Sequence, residues 1–204
     1  MINFITNGIY KNLKHKINFM KKLCNALLIL SFAISSFAQS STFIDTRNEK
    51  VYKTVKIGGQ TWMAENLAFN ADSNCWAYYN DQNFVAKYGY LYNWETAKTV
   101  CPAGWHLPSE EEFETLIKDC GGNSYDACKA LSQDGSSGFS ARFGGWYCDY
   151  NKFYDIGKNA YFWSSTPDGD GYAYILYISS DSKAHTLRHN NRSFGYSVRC
   201  IIDN

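Results

Sequence analysis

The stretch "YNWETAKTVCPAGWHLPSEEEFETLI", residues 92–117, restricts the fold of this chain more than any other. It predicts two helices separated by a proline break. Trp94, Ala97 and Cys101 fall at i, i+3 and i+7, one face of a helix, and Asn93 is placed to cap it. Pro102 stops that helix, because the residue before a proline avoids the α region. Ser109 followed by Glu112 is a capping box for a second helix. Glu110, Glu111 and Glu112 occupy its first turn, where the helix dipole favours negative charge. Phe113, Leu116 and Ile117 form its apolar stripe, and Gly121-Gly122 stop it. The glutamates therefore read as helix-start residues and not as a paired-carboxylate site.

Around this core the pattern is mostly β. "VYKTVKIGGQTWMAENL" reads as a hairpin, with Val51, Val55 and Ile57 on one face and a turn at Gly58-Gly59. Residues 39–50 are polar and read as a linker. Residues 70–90 read as a structured loop carrying Cys75, Trp76, Tyr78 and Tyr79, and "SYDACKALS" as a short third helix. From Gly138 onward, short aromatic or β-branched runs alternate with Gly, Asp, Asn and Ser turns. No sorting or anchoring domain is expected after the last strand.

Residues 1–38 read as an N-terminal extension and signal peptide, with Met20 as the functional start. Lys21 and Lys22 precede an apolar run that ends at Ser36-Phe37-Ala38. The run is too short for a comfortable membrane span, so no transmembrane anchor is expected after cleavage. Without the five lysines of that leader, 15 basic residues face 19 acidic ones. That balance argues against a nucleic-acid partner, which needs a basic footprint. Six cysteines follow the leader: Cys75, Cys101, Cys120, Cys128, Cys148 and Cys200. An even count in an exported chain points to disulfides, in connectivities that the sequence leaves open.

The ordered motifs "IGGQTWMAENL", "KYGYLYNWETAKTVCPAGWHLPSEEEFETLI", "SGFSARFGGWY", "YFWSST" and "FGYSVRCI" resemble the Fibrobacter succinogenes major paralogous domain. The resemblance covers about residues 50–202, and residues 51–204 are assigned to that domain. The family implies export and brings no established biochemical activity. More distantly, Trp94, Ala97, Cys101, Gly104 and Leu107, with the terminal Val198-Arg199-Cys200, look like a C-type lectin-like fold. That likeness implies a Cys101–Cys200 bridge. Cys120 and Cys128, eight apart around a Gly-Gly turn, are candidates for a local bridge; Cys75–Cys148 follows only by elimination, with a free thiol at either as the alternative. The calcium-binding tripeptides of sugar-binding C-type lectins are missing, and Trp163-Ser164-Ser165-Thr166 stands about where they would lie. Calcium-dependent sugar binding is therefore not expected.

The expected fold is α+β and C-type lectin-like, with two main helices packed on short, mostly antiparallel strands and stabilised by disulfides. Aromatics make up 17% of the chain, and most of them are needed for packing. Trp146, Tyr147 and Tyr150 follow Gly144-Gly145 in a loop-rich region and are candidates for an exposed binding platform. Arg188 and Arg192, in the polar segment 180–193, are a second candidate contact surface. Asp168 and Asp170 are a weak calcium candidate that lacks further ligands. His106 reads as a hydrogen-bonded structural histidine. His185 and His189 are too far apart along a strand to share a zinc ion. No catalytic residue and no cofactor is expected. The expected function is non-catalytic binding of a glycan or surface protein, outside the cell, at its surface or in the periplasm. The alternatives are a self-assembling surface protein and an oxidase of the formylglycine-generating type, which would need reactive thiols.

Overall fold

The hairpin expected near residue 51 is the start of the main sheet. The computed structural model describes residues 40–122, 124–181 and 185–203, all within one unit, Ala38–Asn204. The expected leader and the start at Met20 lie outside the described residues. Strand β2 (Lys50–Ile57) turns at Gly58-Gly59 into β3 (Gln60–Met63), with Val55 opposite Trp62. Val55 and Ile57 are buried, whereas Val51 at the outer end stays exposed. The segment read as a linker is strand β1 (Ser40–Asp45), antiparallel to β2. Its composition is polar, but its backbone completes a ladder and Phe43 lies 5.1 Å from the Trp105 ring.

The opening stretch folds as one turn and one helix. After β4 (Cys75–Trp76), α1 (Val85–Tyr88) and β5 (Leu91–Tyr92), helix α2 spans only Trp94–Ala97. Asn93 caps it as expected, accepting from Thr96 N at 3.0 Å. The helix does not reach Cys101. Pro102 disfavours helical backbone at Cys101, and the Val100 carbonyl accepts from Arg47 Nη1 at 2.8 Å. Strand β6 (Trp105–His106) then leads to α3 (Glu110–Asp119). Here the capping box forms in both directions, between Ser109 and Glu112. Such a cap contributes about 1 kcal/mol. Phe113 and Leu116 are fully buried, each worth roughly 1.5–3 kcal/mol of transfer free energy. Gly122 N closes the helix by donating to Ile117 O at 3.0 Å, with left-handed backbone at Gly121 and Gly122. The third helix exists as α4 (Ser124–Leu131). The two longest helices among the described residues are thus α3 and α4, not the expected pair.

The remaining strands are β7 (Trp146–Cys148), β8 (Lys152–Tyr154), β9 (Asn159–Pro167), β10 (Tyr172–Ser179), β11 (His185–Asn191) and β12 (Ile201–Ile202). The main sheet runs β1-β2-β3-β12-β6, so the last strand lies inside it. A second sheet runs β11-β10-β9, and β4-β5 and β7-β8 are two-stranded. All these ladders are antiparallel. Both larger sheets send side chains into two cores, one on each face. Tyr52, Met63, Trp163 and Ile175 enter one core, while Val55, Trp62, Phe162 and Leu176 enter the other. Among the described residues, no helix is long and apolar enough to cross a membrane.

The C-terminal segment closes the fold by three devices. Cys101 and Cys200 form a disulfide across 99 residues of chain. Loop closure on that scale is worth about 4–5 kcal/mol in the chain-entropy account. Met63 N and Leu67 N donate to Cys200 O and Val198 O. Between them the Arg199 side chain is fully buried and donates to Asn66 Oδ1 (2.9 Å), Met63 O (3.1 Å), Phe139 O (2.5 Å) and Ser140 O (2.8 Å). Asn66 in turn donates to Tyr88 O and Ser197 Oγ. None of the four Arg199 acceptors is a carboxylate. Burial lowers the Arg199 pKa to about 9, which leaves the guanidinium charged at neutral pH.

The other expected bridges are absent. Cys75, Cys120, Cys128 and Cys148 remain thiols. Cys120 and Cys128 both enter the second core, and Cys128 Sγ lies 3.5 Å from Ser179 O. Cys75 Sγ reaches Asn70 Oδ1 and Cys148 Sγ reaches Asp149 O, so each thiol has a local acceptor.

Candidate functional site

Alternation along the β7–β8 hairpin sends its aromatics to opposite faces. Trp146 pairs with Tyr154 and stacks on it at 4.8 Å. Trp146 Nε1 and Tyr161 Oη both donate to Asp155 Oδ2. Burial and the Asp155 contact push the Tyr161 phenol far up, so it stays protonated. On the other face Tyr147 stacks on Trp76 at 4.0 Å, and Phe153 packs against Tyr78 and Tyr79 at 5.1 and 5.7 Å. Gly195 makes the Trp76–Tyr147 stack possible: a Cβ there would meet both side chains at 3.0 Å. The half-buried hairpin is therefore fastened to segment 75–90 by rings on one face and to the second sheet by rings on the other.

The two segments meet again at their tips. Tyr79 and Asn80 form one tip, with φ of +54° and +58°. Tyr150 and Asn151 form the other, with φ of +77° and +58°. Asn80 Nδ2 donates to Asn151 Oδ1 at 3.0 Å and joins them. Asparagine tolerates this left-handed region, but tyrosine pays roughly 1–2 kcal/mol to enter it. The strained rings do not use that position to reach a core. Tyr79 is 63% exposed and Tyr150 is 90% exposed. The result is a ledge in which each of two exposed phenol rings adjoins, along the chain, one member of a hydrogen-bonded amide pair.

Of the five expected binding residues, this ledge contains only Tyr150. Trp146 and Tyr147 are its half-buried supports. Arg188 lies over the Tyr177 ring at 4.5 Å on the second sheet. Arg192 donates to Tyr172 O and Gly169 O and covers the Trp94 ring at 4.2 Å, so it fastens the 168–172 turn. In the segment 180–193, residues 182–184 lie outside the described residues, as does the His185 side chain. Asp168 is paired with His189 Nδ1 at 2.5 Å, and no cluster of three His, Cys, Asp or Glu side chains suited to a metal occurs among the described residues. Asp168 and Asp170 are thus not brought together with further ligands.

His106 is hydrogen-bonded through both ring nitrogens, to Asp203 Oδ1 at 2.6 Å and to Glu112 Oε1 at 2.9 Å. Partial burial acts against its charge, but the two carboxylates prevail and raise its pKa. It ties the helix α3 cap to the C-terminal residues. A broad hollow of about 720 Å³ lies beside α4, lined by Asp126, Lys129, Gln133, Asp134 and Phe143 among others. The hydroxyl of Ser132 there is turned back to Cys128 O at 2.7 Å.

Sequence reasoning missed Tyr79, Asn80 and Asn151 as site residues. The signal is the dipeptide Tyr-Asn, present at both tips. It also occurs at Tyr92-Asn93, where Tyr92 is buried and Asn93 caps α2, so the dipeptide alone does not select the tips.

Fold and site together define an α+β domain of small helices and antiparallel sheets, pinned by one disulfide, with an aromatic ledge at two loop tips. The model of the Fibrobacter succinogenes major domain matches residues 55–201. The match takes in well over half of the chain, and the chain belongs to that family. No curated protein and no solved structure matches it.

Proposed function

We propose that this chain is a non-catalytic binding module built on a C-type lectin-like core. It acts outside the cytoplasm and takes a polysaccharide or a surface protein as ligand. The supporting observation is the ledge, where two tyrosines are held exposed on strained backbone. Strain of this kind persists where a site needs it. The Cys101–Cys200 bridge, which ties the end of the α2 segment to the closing strand, supports the lectin-like core. Depletion of the purified protein from solution by insoluble plant and bacterial polysaccharides, with calcium or chelator, tests the reading. Retention on a polymer supports it, and the chelator arm decides whether calcium takes part. No retention on any polymer, and no capture by envelope protein, contradicts it.

A second reading, self-assembly, rests on a different feature. Ile44 and Val51 are direct cross-strand partners on the β1–β2 hairpin, 57% and 52% exposed, and β1 is a sheet edge. Exposed apolar edges invite pairing with another chain. Sedimentation of Ile44→Lys against the parent tests this: a concentration-dependent oligomer lost in the variant favours it. The oxidase reading draws less support. Burial pushes the Cys120 thiol up to about 11 and raises that of Cys75, the opposite of what a reactive thiolate needs.

A further inference from the structure

We infer, resting on the binding-module reading, that the Tyr79-Asn80/Tyr150-Asn151 ledge takes an uncharged polysaccharide whose rings carry equatorial hydroxyls. The argument begins with charge. The four side chains at the tips are phenols and amides. The acidic neighbours are already engaged, Asp81 by Asn83 N at 2.9 Å and Asp149 by Ser193 Oγ at 3.1 Å. The cation next to the tips is the exposed Lys152, a point charge without the guanidinium fork that grips a carboxylate, sulfate or phosphate, and the two carboxylates beside the tips outnumber it.

Shape gives the second step. A sugar ring with equatorial hydroxyls exposes flat C–H faces, which stack on phenol rings, and a rim of hydroxyls that need hydrogen bonds. The Asn80–Asn151 bond uses one amide N–H and one carbonyl oxygen. The pair still has an amide oxygen and three N–H groups to offer to that rim. An axial hydroxyl would interrupt the flat face.

Size gives the third. An aromatic side chain buries ~150–250 Å² when covered, so the exposed parts of Tyr79 and Tyr150 amount to roughly 300 Å². A standard protein interface takes about 800 Å² from each partner. A short run of sugar rings fits this area better than a folded protein does.

The test is retention of the purified protein on cellulose and on insoluble xylan, with insoluble polygalacturonate as the anionic control. Tyr150→Asn and Tyr79→Asn are compared with the parent. Asparagine keeps the left-handed backbone and removes the ring. The inference predicts retention on a neutral polymer, little on polygalacturonate, and roughly tenfold weaker retention when both rings are lost. Because Tyr79 also packs on Tyr78 and Phe153, Tyr150→Asn is the variant expected to fold at least as stably as the parent. Retention on neutral polymer that neither variant alters overturns the ledge and leaves the binding-module reading standing. Retention on polygalacturonate alone overturns the neutral-ligand assignment. Absence of retention on all three overturns this inference, and the binding-module reading falls with it only if envelope protein is not bound either.

Discussion

The Arg199 hub and the tyrosine ledge treat polar groups in opposite ways. At the hub a full charge is withdrawn from water and met by four oxygens from two distant segments of the chain, Met63 with Asn66 and Phe139 with Ser140. Rings cover it as well, with Phe139 and Phe162 centred 4.7 and 5.3 Å from its guanidinium carbon. At the ledge, rings that would gain by burial are held in water on backbone they disfavour. The hub invests polar groups in closure of the fold. The ledge gives up stability for display. Tyr79 recovers part of that cost against Tyr78 and Phe153, whereas Tyr150, 90% exposed, is placed against its own preference with little packing gain, and there function is best sought.

That contrast is broken most forcefully at the hub. Arg199→Met should destabilise the protein by about 3–5 kcal/mol, because it strands Phe139 O, Ser140 O and the Asn66 amide in a dry core. Urea unfolding measures this, and a loss under ~1 kcal/mol would mean water replaces the guanidinium. Next comes the Cys101–Cys200 bridge. Its removal by Cys101→Ser/Cys200→Ser should cost about 2–5 kcal/mol by the same assay. Among the described residues four thiols sit outside that effect, so a thiol titration of the unfolded parent should count four without residues 1–38 and five where Cys24 is present.

His106 is an intermediate case, half exposed yet bonded at both nitrogens. Its folded pKa is raised above 6.5, facing Glu112 and Asp203. The stabilisation is therefore complete below the unfolded value and is lost as pH rises through the folded one. Between about pH 6 and 9 the parent should lose stability relative to His106→Gln, by less than the disulfide contributes. A parallel pH dependence in the two proteins would remove His106 from that role. The smallest effect, of opposite sign, is expected at the other pole: Tyr150→Asn should raise stability by about 1 kcal/mol, because asparagine tolerates the left-handed backbone and the lost ring is 90% exposed.

The hub and the ledge were also unequally legible in the sequence. Local chemistry was readable wherever it was self-contained. The Ser109–Glu112 box, the Gly58-Gly59 turn and the Asn93 cap all depend on residues within one turn of each other, and all formed. The first helix was overread because Cys101 lies on a helical period, while its burial comes from the disulfide to Cys200. Strand β1 was underread because its ladder is made by backbone, which composition does not report. Arg199 carried no local sign of burial, since all its acceptors are about 60 residues away or more. At the site, Tyr150 could be named from its turn, but Trp146 and Tyr147 were assigned exposure that their partners Tyr154 and Trp76 remove. Tyr79 and Asn80 join Tyr150 through the Asn80–Asn151 contact across 71 residues and the packing of Phe153 on Tyr78 and Tyr79.

The most direct test of this account is a paired measurement on Tyr150→Asn, its unfolding midpoint and its retention on a neutral insoluble polysaccharide. The account predicts a midpoint at or above that of the parent, because the backbone strain is relieved, with clearly weakened retention. Retention equal to that of the parent would contradict it, and would make the ledge a surface detail of the fold and not the site for which the strain is kept.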